Sequence, residues 1–238
     1  MGFVVYLCLG IGLVAILFLA RLYTLLTVTR AAKRGGRRRP ADSTCSLAVF
    51  LGSGGHTSEA LCLLSALDFS RYFPRTYFIS EGDSLSMRKA LELEALKAAD
   101  AQGSPRSNPR TETPYTFVVI PRARHVHQSL LTTPVTAAVS LAAAVWHLTI
   151  APSVHGTPIS EVLLLNGPGT CFVLCIAAYL NRICALSSPT LIYVESFARV
   201  RRLSMSGKLL RRLVDRFIVQ WPDLARDDKG AEYRGWLV

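Results

Sequence analysis

The first clear change in the pattern of apolar and polar positions comes just after Ser46. Leu47–Leu51 is an unbroken apolar run with the length and residue types of a buried strand. A glycine turn follows, and from Thr57 onward apolar residues recur at helical spacing. A strand, a glycine turn and a helix open a doubly wound α/β unit, and they direct backbone N–H groups and the positive end of a helix toward the space outside the sheet. This stretch therefore predicts an anion site, most naturally for a phosphate.

We call the turn from Gly52 to Thr57 the first glycine turn. It does not match either familiar phosphate motif, because a dinucleotide fingerprint needs a third glycine where Thr57 stands, and a P-loop needs a Lys followed by Ser or Thr. A turn that only lets the helix pack on the sheet is the structural alternative. His56 is open to a similar alternative, a histidine at the start of a helix that bonds to the backbone.

A second glycine turn, Asn166–Thr170, has the same arrangement. It lies between an apolar strand, Glu161–Leu165, and a helical apolar run, Cys171–Asn181. Asn166 can bond to its own backbone, Gly167 and Gly169 allow a ligand to approach closely, and Thr170 is placed to cap the helix. We expect the two glycine turns to face one crevice.

Strands and helices alternate along the rest of the chain. This order predicts an α/β fold with a Rossmann-like, mostly parallel sheet of about six strands. A helix that is capped by Ser84 or Ser86 and runs to about Ala99 is expected, and so is a basic amphipathic helix over Ser206–Asp215. Asp100–Pro114 is expected to be a surface loop. The remaining predicted strands are Thr76–Ile79, Phe117–Ile120, Leu191–Val194 and Phe217–Gln220.

Charged residues follow two of these strands, at the sheet edge where open α/β sheets bind ligands. The arginine loop, Pro121–Ser129, carries Arg122 and Arg124 with His125 and His127, although a solvated basic loop would have the same composition.

Glu195 follows Val194, where its carboxylate could accept bonds from sugar hydroxyls or pair with Arg199 or Arg201. Glu81 and Asp83 lie where a dinucleotide-binding protein has its ribose carboxylate, so an oxidoreductase remains an alternative.

The N-terminal segment is apolar enough to span a membrane. Phe3–Ala20 has no charged residue and the extension to Thr29 adds only Arg21, which predicts an uncleaved anchor rather than a signal peptide. The following basic residues indicate a cytosolic C-terminal side and contact with anionic lipid rather than with nucleic acid. We therefore divide the chain into an anchor (1–29), a basic linker (30–45) and an α/β domain (46–238). The basic residues of the linker are Arg30, Lys33, Arg34, Arg37, Arg38 and Arg39.

Composition adds two constraints. Half of the 238 residues are hydrophobic and the net charge is +11, a combination typical of proteins that meet a membrane or an anionic ligand. The uncharged stretch Ser129–Ile150 predicts a helix that is buried or lies in the membrane interface, in preference to a second span.

The cysteines form no C-x-x-C pair, so neither a metal site nor a redox site is predicted. Cys171 and Cys175 are expected to be small buried thiols.

Six short runs along the chain, in this order, match those of a known family. They are Gly52-Ser-Gly-Gly-His-Thr57, Pro121-Arg122 to Gln128-Ser129, Asn166-Gly-Pro-Gly-Thr-Cys171, Tyr193-Val-Glu-Ser196, Leu203-Ser-Met-Ser-Gly-Lys208 and Val219-Gln-Trp-Pro222. The chain resembles the membrane-anchor subunit of the eukaryotic two-chain N-acetylglucosaminyltransferase of dolichol-linked oligosaccharide assembly. His125, His127 and the residues before Tyr233 depart from the family's expected pattern.

The resemblance implies a half-enzyme. This chain would be the N-terminal, acceptor-binding half of a GT-B glycosyltransferase on the cytosolic face of the endoplasmic reticulum, inactive alone. A separate soluble chain would bind the UDP-N-acetylglucosamine donor, and the acceptor would be dolichyl-diphosphate N-acetylglucosamine. No cofactor, metal or nucleic acid is implied. A chain that serves only as a tether for the soluble subunit is the alternative.

The resemblance also implies roles for particular residues. The first glycine turn would face the acceptor diphosphate, and His56 would help to deprotonate the acceptor sugar hydroxyl. Glu195 is a second candidate for a catalytic role at the cleft shared with the partner chain. The substrate-binding residues would be Gly52, Ser53, Gly54, Gly55, His56, Thr57, Arg122, Arg124, Asn166, Gly167, Gly169, Thr170 and Glu195.

Overall fold

The computed structural model describes residues 2–32, 40, 43–102, 115–124, 128–129, 131–226 and 230–238. Its centre is one seven-stranded sheet with the order β3-β2-β1-β4-β5-β6-β7, and every neighbouring pair is parallel. The fold is therefore the predicted α/β, Rossmann-like parallel sheet. The strands are β1 (Leu47–Leu51), β2 (Arg75–Ser80), β3 (Tyr115–Ile120), β4 (Val162–Asn166), β5 (Thr190–Val194), β6 (Arg216–Val219) and β7 (Ala231–Tyr233).

Helices connect these strands and cover both faces of the sheet. A single π-helical turn, Trp146–Ile150, joins two of them into one continuous helical segment. The helices are α1 (Gly2–Ala32), α2 (Gly55–Ser65), α3 (Ser84–Gln102), α4 (Thr133–Val145), α5 (Ala151–His155), α6 (Thr170–Ile183), α7 (Met205–Leu210) and α8 (Pro222–Arg226).

Strand β1 shows how the sequence produces this core. All five of its residues are buried, and alternate side chains point to opposite faces of the sheet. Leu47, Val49 and Leu51 join a core cluster with α2 and α3, whereas Ala48 and Phe50 join the larger cluster formed with α4 and α6. A strand covered on both faces needs apolar residues at every position, which is why the run could be recognised in the sequence.

The strand order reverses between β1 and β4, which pair directly with each other. Ligands of open α/β sheets bind outside the carboxyl ends of the strands at such a reversal. The first glycine turn follows β1 and the second follows β4. The topology therefore places both turns at the expected ligand-binding edge.

Strand β7 and helix α7 differ from the sequence prediction. We expected about six strands, but Ala231–Tyr233 pairs with β6 as a seventh. This strand was not predicted because its three residues are partly exposed and too few to show a strand pattern in the sequence. The basic amphipathic helix predicted over Ser206–Asp215 is shorter, because α7 ends at Leu210. Leu210 and Val214 are buried, whereas Leu209 is half exposed.

Helix α1 is continuous over 31 residues and contacts the sheet domain through α6. The Arg21 guanidinium donates to the carbonyl of Arg182 at the end of α6, with an N–O distance of 3.2 Å. Apolar side chains on all sides of α1 are exposed, and they are Val4, Val5, Tyr6, Leu9, Leu13, Ile16, Leu17, Phe18, Leu19 and Tyr23.

The segment from α4 to α5 covers the stretch for which we predicted a buried or interfacial helix. One side of it packs on α6, where Ser140, Ala144 and Leu148 are buried, and most of the helix surface is not buried. By length and composition, Thr133–His155 could also cross a membrane. The large apolar side chains exposed on this segment are Val135, Val139, Trp146, Ile150 and Val154.

Three sequence predictions lie wholly or partly outside the described residues. They concern the basic linker at residues 33–39, the polar loop at residues 103–114, and His125 and His127 of the arginine loop.

Candidate functional site

The two glycine turns meet at the switch point. A β-carbon added to Gly52 would lie 2.7 Å from Cδ of Pro168 in the second turn. One added to Gly167 would lie 2.7 Å from Cγ of His56, and the φ of +116° at Gly167 is itself unfavourable for any other residue. The two turns therefore lie against each other, and glycine is needed at both contacts. A shared crevice for a ligand stays a prediction.

His56 lies at this junction, on the first turn of α2. Its Nδ1 is 3.1 Å from Oδ1 of Asn166. The Asn166 side chain is fully buried, and its amide nitrogen donates to a carboxylate oxygen of Glu59 at 3.0 Å and to the carbonyl of Val194 at 3.4 Å. Because the amide nitrogen faces two acceptors, Oδ1 is the atom that faces His56, and Nδ1 must carry the proton that it accepts.

This tautomer leaves Nε2 of His56 as the basic nitrogen. Within the described part of the chain Nε2 has no hydrogen-bond partner, and the residue is partly exposed. An imidazole held through Nδ1, with Nε2 open, is the arrangement that general-base catalysis requires.

Glu59 is part of the site but was missed in the sequence. Its other carboxylate oxygen accepts from the hydroxyl of Ser196, 2.7 Å away, just beyond β5. It therefore joins α2 to the last residue of β4 and to a residue that follows β5. Its position three residues after His56 on one helix is the sequence signal that could have placed it on the same side of α2.

Thr57, the last residue of the first glycine turn, has a structural role in this geometry. Its buried hydroxyl donates to the carbonyl of Gly52 and lies 2.6 Å from the hydroxyl of Ser86. Thr57 therefore closes the turn from inside, whereas Ser53, Gly54 and Gly55 remain exposed. Their backbone N–H groups at the start of the 11-residue α2 are the part of the turn available to an anion.

Asp83 caps α3, where we had predicted Ser84 or Ser86 as the cap. Its carboxylate accepts from the backbone N–H of Ser86 at 3.1 Å and from the Ser86 hydroxyl at 2.6 Å. These bonds occupy one of the two carboxylates, Glu81 and Asp83, that were placed to bind a ribose in a dinucleotide-binding protein.

The arginine loop crosses to the second glycine turn. The backbone N–H of Ala123 donates to the hydroxyl of Thr170 at 3.4 Å. Thr170 is therefore not the helix cap that we predicted: it is the first residue of α6, Gly169 occupies the cap position, and no side chain caps the helix.

Arg122 and Arg124 lie on either side of Ala123, and in the described part of the chain each guanidinium is held by one hydrogen bond. Nε of Arg122 donates to the carbonyl of Glu81 at 3.2 Å, and an amino group of Arg124 donates to the carbonyl of Gln128 at 3.1 Å. A guanidinium has five N–H donors, so each arginine keeps further donors that no described residue occupies.

Glu195 lies within the protein, only 1% exposed. Its carboxylate accepts from the backbone N–H of Ser196 at 3.1 Å and from the backbone N–H and the hydroxyl of Ser204, both at 3.0 Å. No ion pair to Arg199 or Arg201 is present among the described residues. In this geometry Glu195 holds the loop between β5 and α7, and a direct role in catalysis or binding stays a prediction.

The buried cysteines fit the expectation of packing residues. Cys171 and Cys175 are fully buried, and burial raises the pKa of the Cys175 thiol to about 12. Burial likewise raises the pKa of Cys171. In the described residues, no group of three or more His, Cys, Asp or Glu side chains is placed to hold a metal ion.

Comparison with known proteins places this site in a family. Residues 47–237 match the family model described as "Oligosaccharide biosynthesis protein Alg14 like". The chain is 44% identical over 224 residues to the UDP-N-acetylglucosamine transferase subunit ALG14 of Cryptococcus neoformans (strain JEC21), covering 93% of each chain. It is 44% identical over 223 residues to the subunit of that name in Schizosaccharomyces pombe, covering 94% of this chain and 96% of the relative.

A mammalian relative matches over a similar length. The UDP-N-acetylglucosamine transferase subunit ALG14 of Mus musculus is 38% identical over 233 residues, which is 95% of this chain and 94% of the relative. The family model and the relatives cover both glycine turns, the arginine loop and the residues after β5. On these grounds, the chain belongs to the Alg14 family of oligosaccharide biosynthesis proteins.

Proposed function

We propose that this chain is the membrane-anchored, acceptor-binding subunit of a UDP-N-acetylglucosamine transferase. Its acceptor is a lipid diphosphate that carries N-acetylglucosamine, dolichyl-diphosphate N-acetylglucosamine in the family that the sequence resembles. A second, soluble subunit binds the UDP-N-acetylglucosamine donor, so this chain is inactive alone. The names of the fungal and mammalian relatives support the transferase assignment.

The observation that carries the proposal is the position of His56. It lies between two glycine turns at the carboxyl edge of the sheet, with Nδ1 bonded to Asn166 and Nε2 open. In the proposed reaction the acceptor sugar hydroxyl attacks the anomeric carbon of the donor, the bond from that carbon to the UDP oxygen breaks, and UDP leaves with the electron pair. Nε2 of His56 takes the proton from the hydroxyl. A base positioned in this way contributes roughly 10²- to 10⁴-fold to the rate.

The surroundings of His56 suit an acceptor diphosphate. The exposed backbone N–H groups of Ser53, Gly54 and Gly55 lie at the positive end of α2. Arg122 and Arg124 add donors from the arginine loop, which the bond between Ala123 and Thr170 ties to the second glycine turn. Gly169, where an added β-carbon would have no atom within 4 Å, leaves the second turn open to a ligand or to the partner chain.

The partner and the membrane complete the proposal. The described residues contain one Rossmann-like sheet, and its switch point carries the proposed acceptor-site residues. This supports a donor site on a second chain. The exposed apolar surface of α1 supports an anchor at residues 1–29, followed by a basic linker at 30–45 and a cytosolic domain at 46–238. The endoplasmic reticulum membrane is the location that the family resemblance implies.

A transfer assay tests this proposal. Membranes that carry this chain, with and without the candidate soluble partner, are given radiolabelled UDP-N-acetylglucosamine and a lipid-diphosphate N-acetylglucosamine acceptor. We expect labelled product only when both chains are present. No product from a complex that is shown to form would overturn the acceptor assignment.

Variants separate an acceptor-binding subunit from a tether. His56→Ala is expected to lower transfer at least a hundredfold while co-purification with the partner is unchanged. If His56→Ala and Glu195→Ala both left transfer intact in a complex that still forms, the chain would be a tether only.

A further inference from the structure

We infer that Glu59 is a positioning residue for the transfer reaction: it holds the amide of Asn166 in one orientation, and this selects the tautomer of His56 that can act as a base. This inference rests on the proposed function, in which Nε2 of His56 accepts the proton. Its structural part, the choice of tautomer, can be tested without any measurement of transfer.

The first step is the chemistry of the Glu59 carboxylate. A carboxylate only accepts hydrogen bonds, so both of its neighbours must donate to it. The hydroxyl of Ser196 donates to one oxygen at 2.7 Å, and the amide nitrogen of Asn166 donates to the other at 3.0 Å. Bonds to an ionised acceptor are stronger than bonds between neutral groups, so the carboxylate dominates the choice of orientation at Asn166.

The second step is the cost of the opposite orientation. If the Asn166 amide were flipped, its oxygen would face the Glu59 carboxylate and the carbonyl of Val194, which are both acceptors. Asn166 is fully buried, so water cannot compensate for the lost bonds. The flipped amide would also present its N–H₂ group to Nδ1 of His56, which would stabilise the tautomer with the proton on Nε2. That tautomer cannot accept a proton at Nε2.

The third step explains why Asn166 needs Glu59. The carbonyl of Val194 is the other acceptor of the Asn166 amide, but at 3.4 Å it is a long bond. Glu59 reaches the amide from α2, the same helix that carries His56, so a single rigid element bears both the base and the group that orients it. Loss of Glu59 leaves the amide weakly oriented and allows both tautomers.

The consequence for activity is a loss of kcat with little change in the KM for the donor. Glu59→Ala is expected to lower kcat at least tenfold in the two-chain complex. Ser58→Ala, one position earlier on α2, is the matched control, because Ser58 is exposed and its hydroxyl bonds to Lys89 rather than to the site. The control is expected to stay within about twofold of the wild type, the range usual for surface substitutions.

A double-mutant cycle tests whether Glu59 acts through His56. If it does, Glu59→Ala should cause no further loss in a chain that already carries His56→Ala. If the loss in the double variant equalled the product of the two single losses, the inference would be overturned, because Glu59 would then act independently of the base. Co-purification with the soluble partner is the check that each variant is folded.

An exchange of the two functional groups provides a second test that does not rely on alanine. Asn166→Asp places two carboxylates face to face and is expected to lower kcat at least tenfold. Adding Glu59→Gln restores one donor and one acceptor, and the new aspartate can still accept from Nδ1 of His56. We expect the double variant to recover to within about threefold of the wild type. An exchange variant no more active than Asn166→Asp alone would contradict the inference.

The tautomer itself can be read by NMR on the full chain in detergent, with ¹⁵N-labelled histidine and His56→Gln to assign the signal. We expect the wild-type His56 to show the proton on Nδ1, and Glu59→Ala to show a mixture of tautomers. The same single tautomer in both proteins would overturn the inference, whether or not the complex transfers sugar. If the transfer assay failed but the tautomer shifted as expected, only the proposed function would fall.

Discussion

The backbone of Gly167 lies against the imidazole of His56, so close that a β-carbon at residue 167 would be 2.7 Å from Cγ of the ring. The second glycine turn therefore forms one wall of the space that the ring occupies. Gly169, two residues later, has no atom within 4 Å of the equivalent added carbon.

This contact gives a first prediction. Gly167→Ala must displace the ring or the turn, and it also places a β-carbon at a φ of +116°. We expect at least a tenfold loss of kcat in the two-chain complex, because Nδ1 of His56 would lose its alignment with Asn166. The control Gly10→Ala in α1, where an added β-carbon also has no atom within 4 Å, should leave transfer within about threefold of the wild type. Equal losses in both variants would mean that the ring contact is not what matters.

The second prediction concerns the buried ion pair between Arg75 and Glu94. The side chains are 3% and 4% exposed and are joined by two bonds of 2.7 Å, and the hydroxyl of Tyr77 also donates to Glu94. Glu94→Ala would leave the guanidinium buried without its partner, so we expect the free energy of unfolding to fall by about 3–5 kcal/mol.

Chemical denaturation of the detergent-solubilised chain measures this change. The exposed pair between Arg226 and Asp223 is the control, and Asp223→Ala should cost less than about 1 kcal/mol. A similar small change for Glu94→Ala would show that water reaches Arg75.

The third prediction is a difference in thiol reactivity. Cys62 and Cys184 are exposed, whereas Cys45, Cys171 and Cys175 are buried. The pKa of Cys175 is raised to about 12, so its thiol stays protonated through neutral pH and cannot form the reactive thiolate there. Iodoacetamide at pH 8, read by mass spectrometry of the folded chain, should label Cys62 and Cys184 and leave Cys171 and Cys175 unmodified. Labelling of Cys175 before unfolding would contradict the buried position.

The fourth prediction separates the two apolar helices. If residues 1–29 are the anchor and the segment Thr133–His155 only packs on the sheet or lies in the membrane interface, removal of residues 1–29 should release the chain from membranes in alkaline carbonate. The full-length chain should remain in the pellet. A truncated chain that still resists extraction would mean that Thr133–His155 crosses the bilayer, as its length and composition would allow.

Strong local patterns made most of the sheet predictable. β1 was predicted with its observed bounds, and the other five expected strands were found within two residues of their predicted ends. Five of these six strands lie inside the parallel sheet, where burial on both faces favours a continuous apolar run, whereas β3 is an edge strand. β7 was not predicted, because a short edge strand with a charged residue in the middle does not need a continuous apolar run.

The site was predictable only in its outline. Glycine turns, arginines and acidic residues that follow strands could be placed at one edge, because the carboxyl ends of parallel strands share that edge. The directions of the side chains could not be derived in this way. Glu195 follows its strand as predicted, yet its carboxylate turns inward to Ser204, and the hydroxyl of Thr170 bonds to Ala123 rather than to its own helix.

By itself, the sequence determined the parallel α/β core, the two glycine turns and the family, because each of these depends on residues that are neighbours along the chain. Only the tertiary structure decided that His56, Asn166, Glu59 and Ser196 form one hydrogen-bonded chain. Asn166 and Glu59 are 107 positions apart, and Ser196 and Glu59 are 137 apart. A hydrogen bond depends on distances of about 3 Å and on the direction of the donor, and these are set by how β1, β4 and β5 align in the sheet rather than by any local pattern.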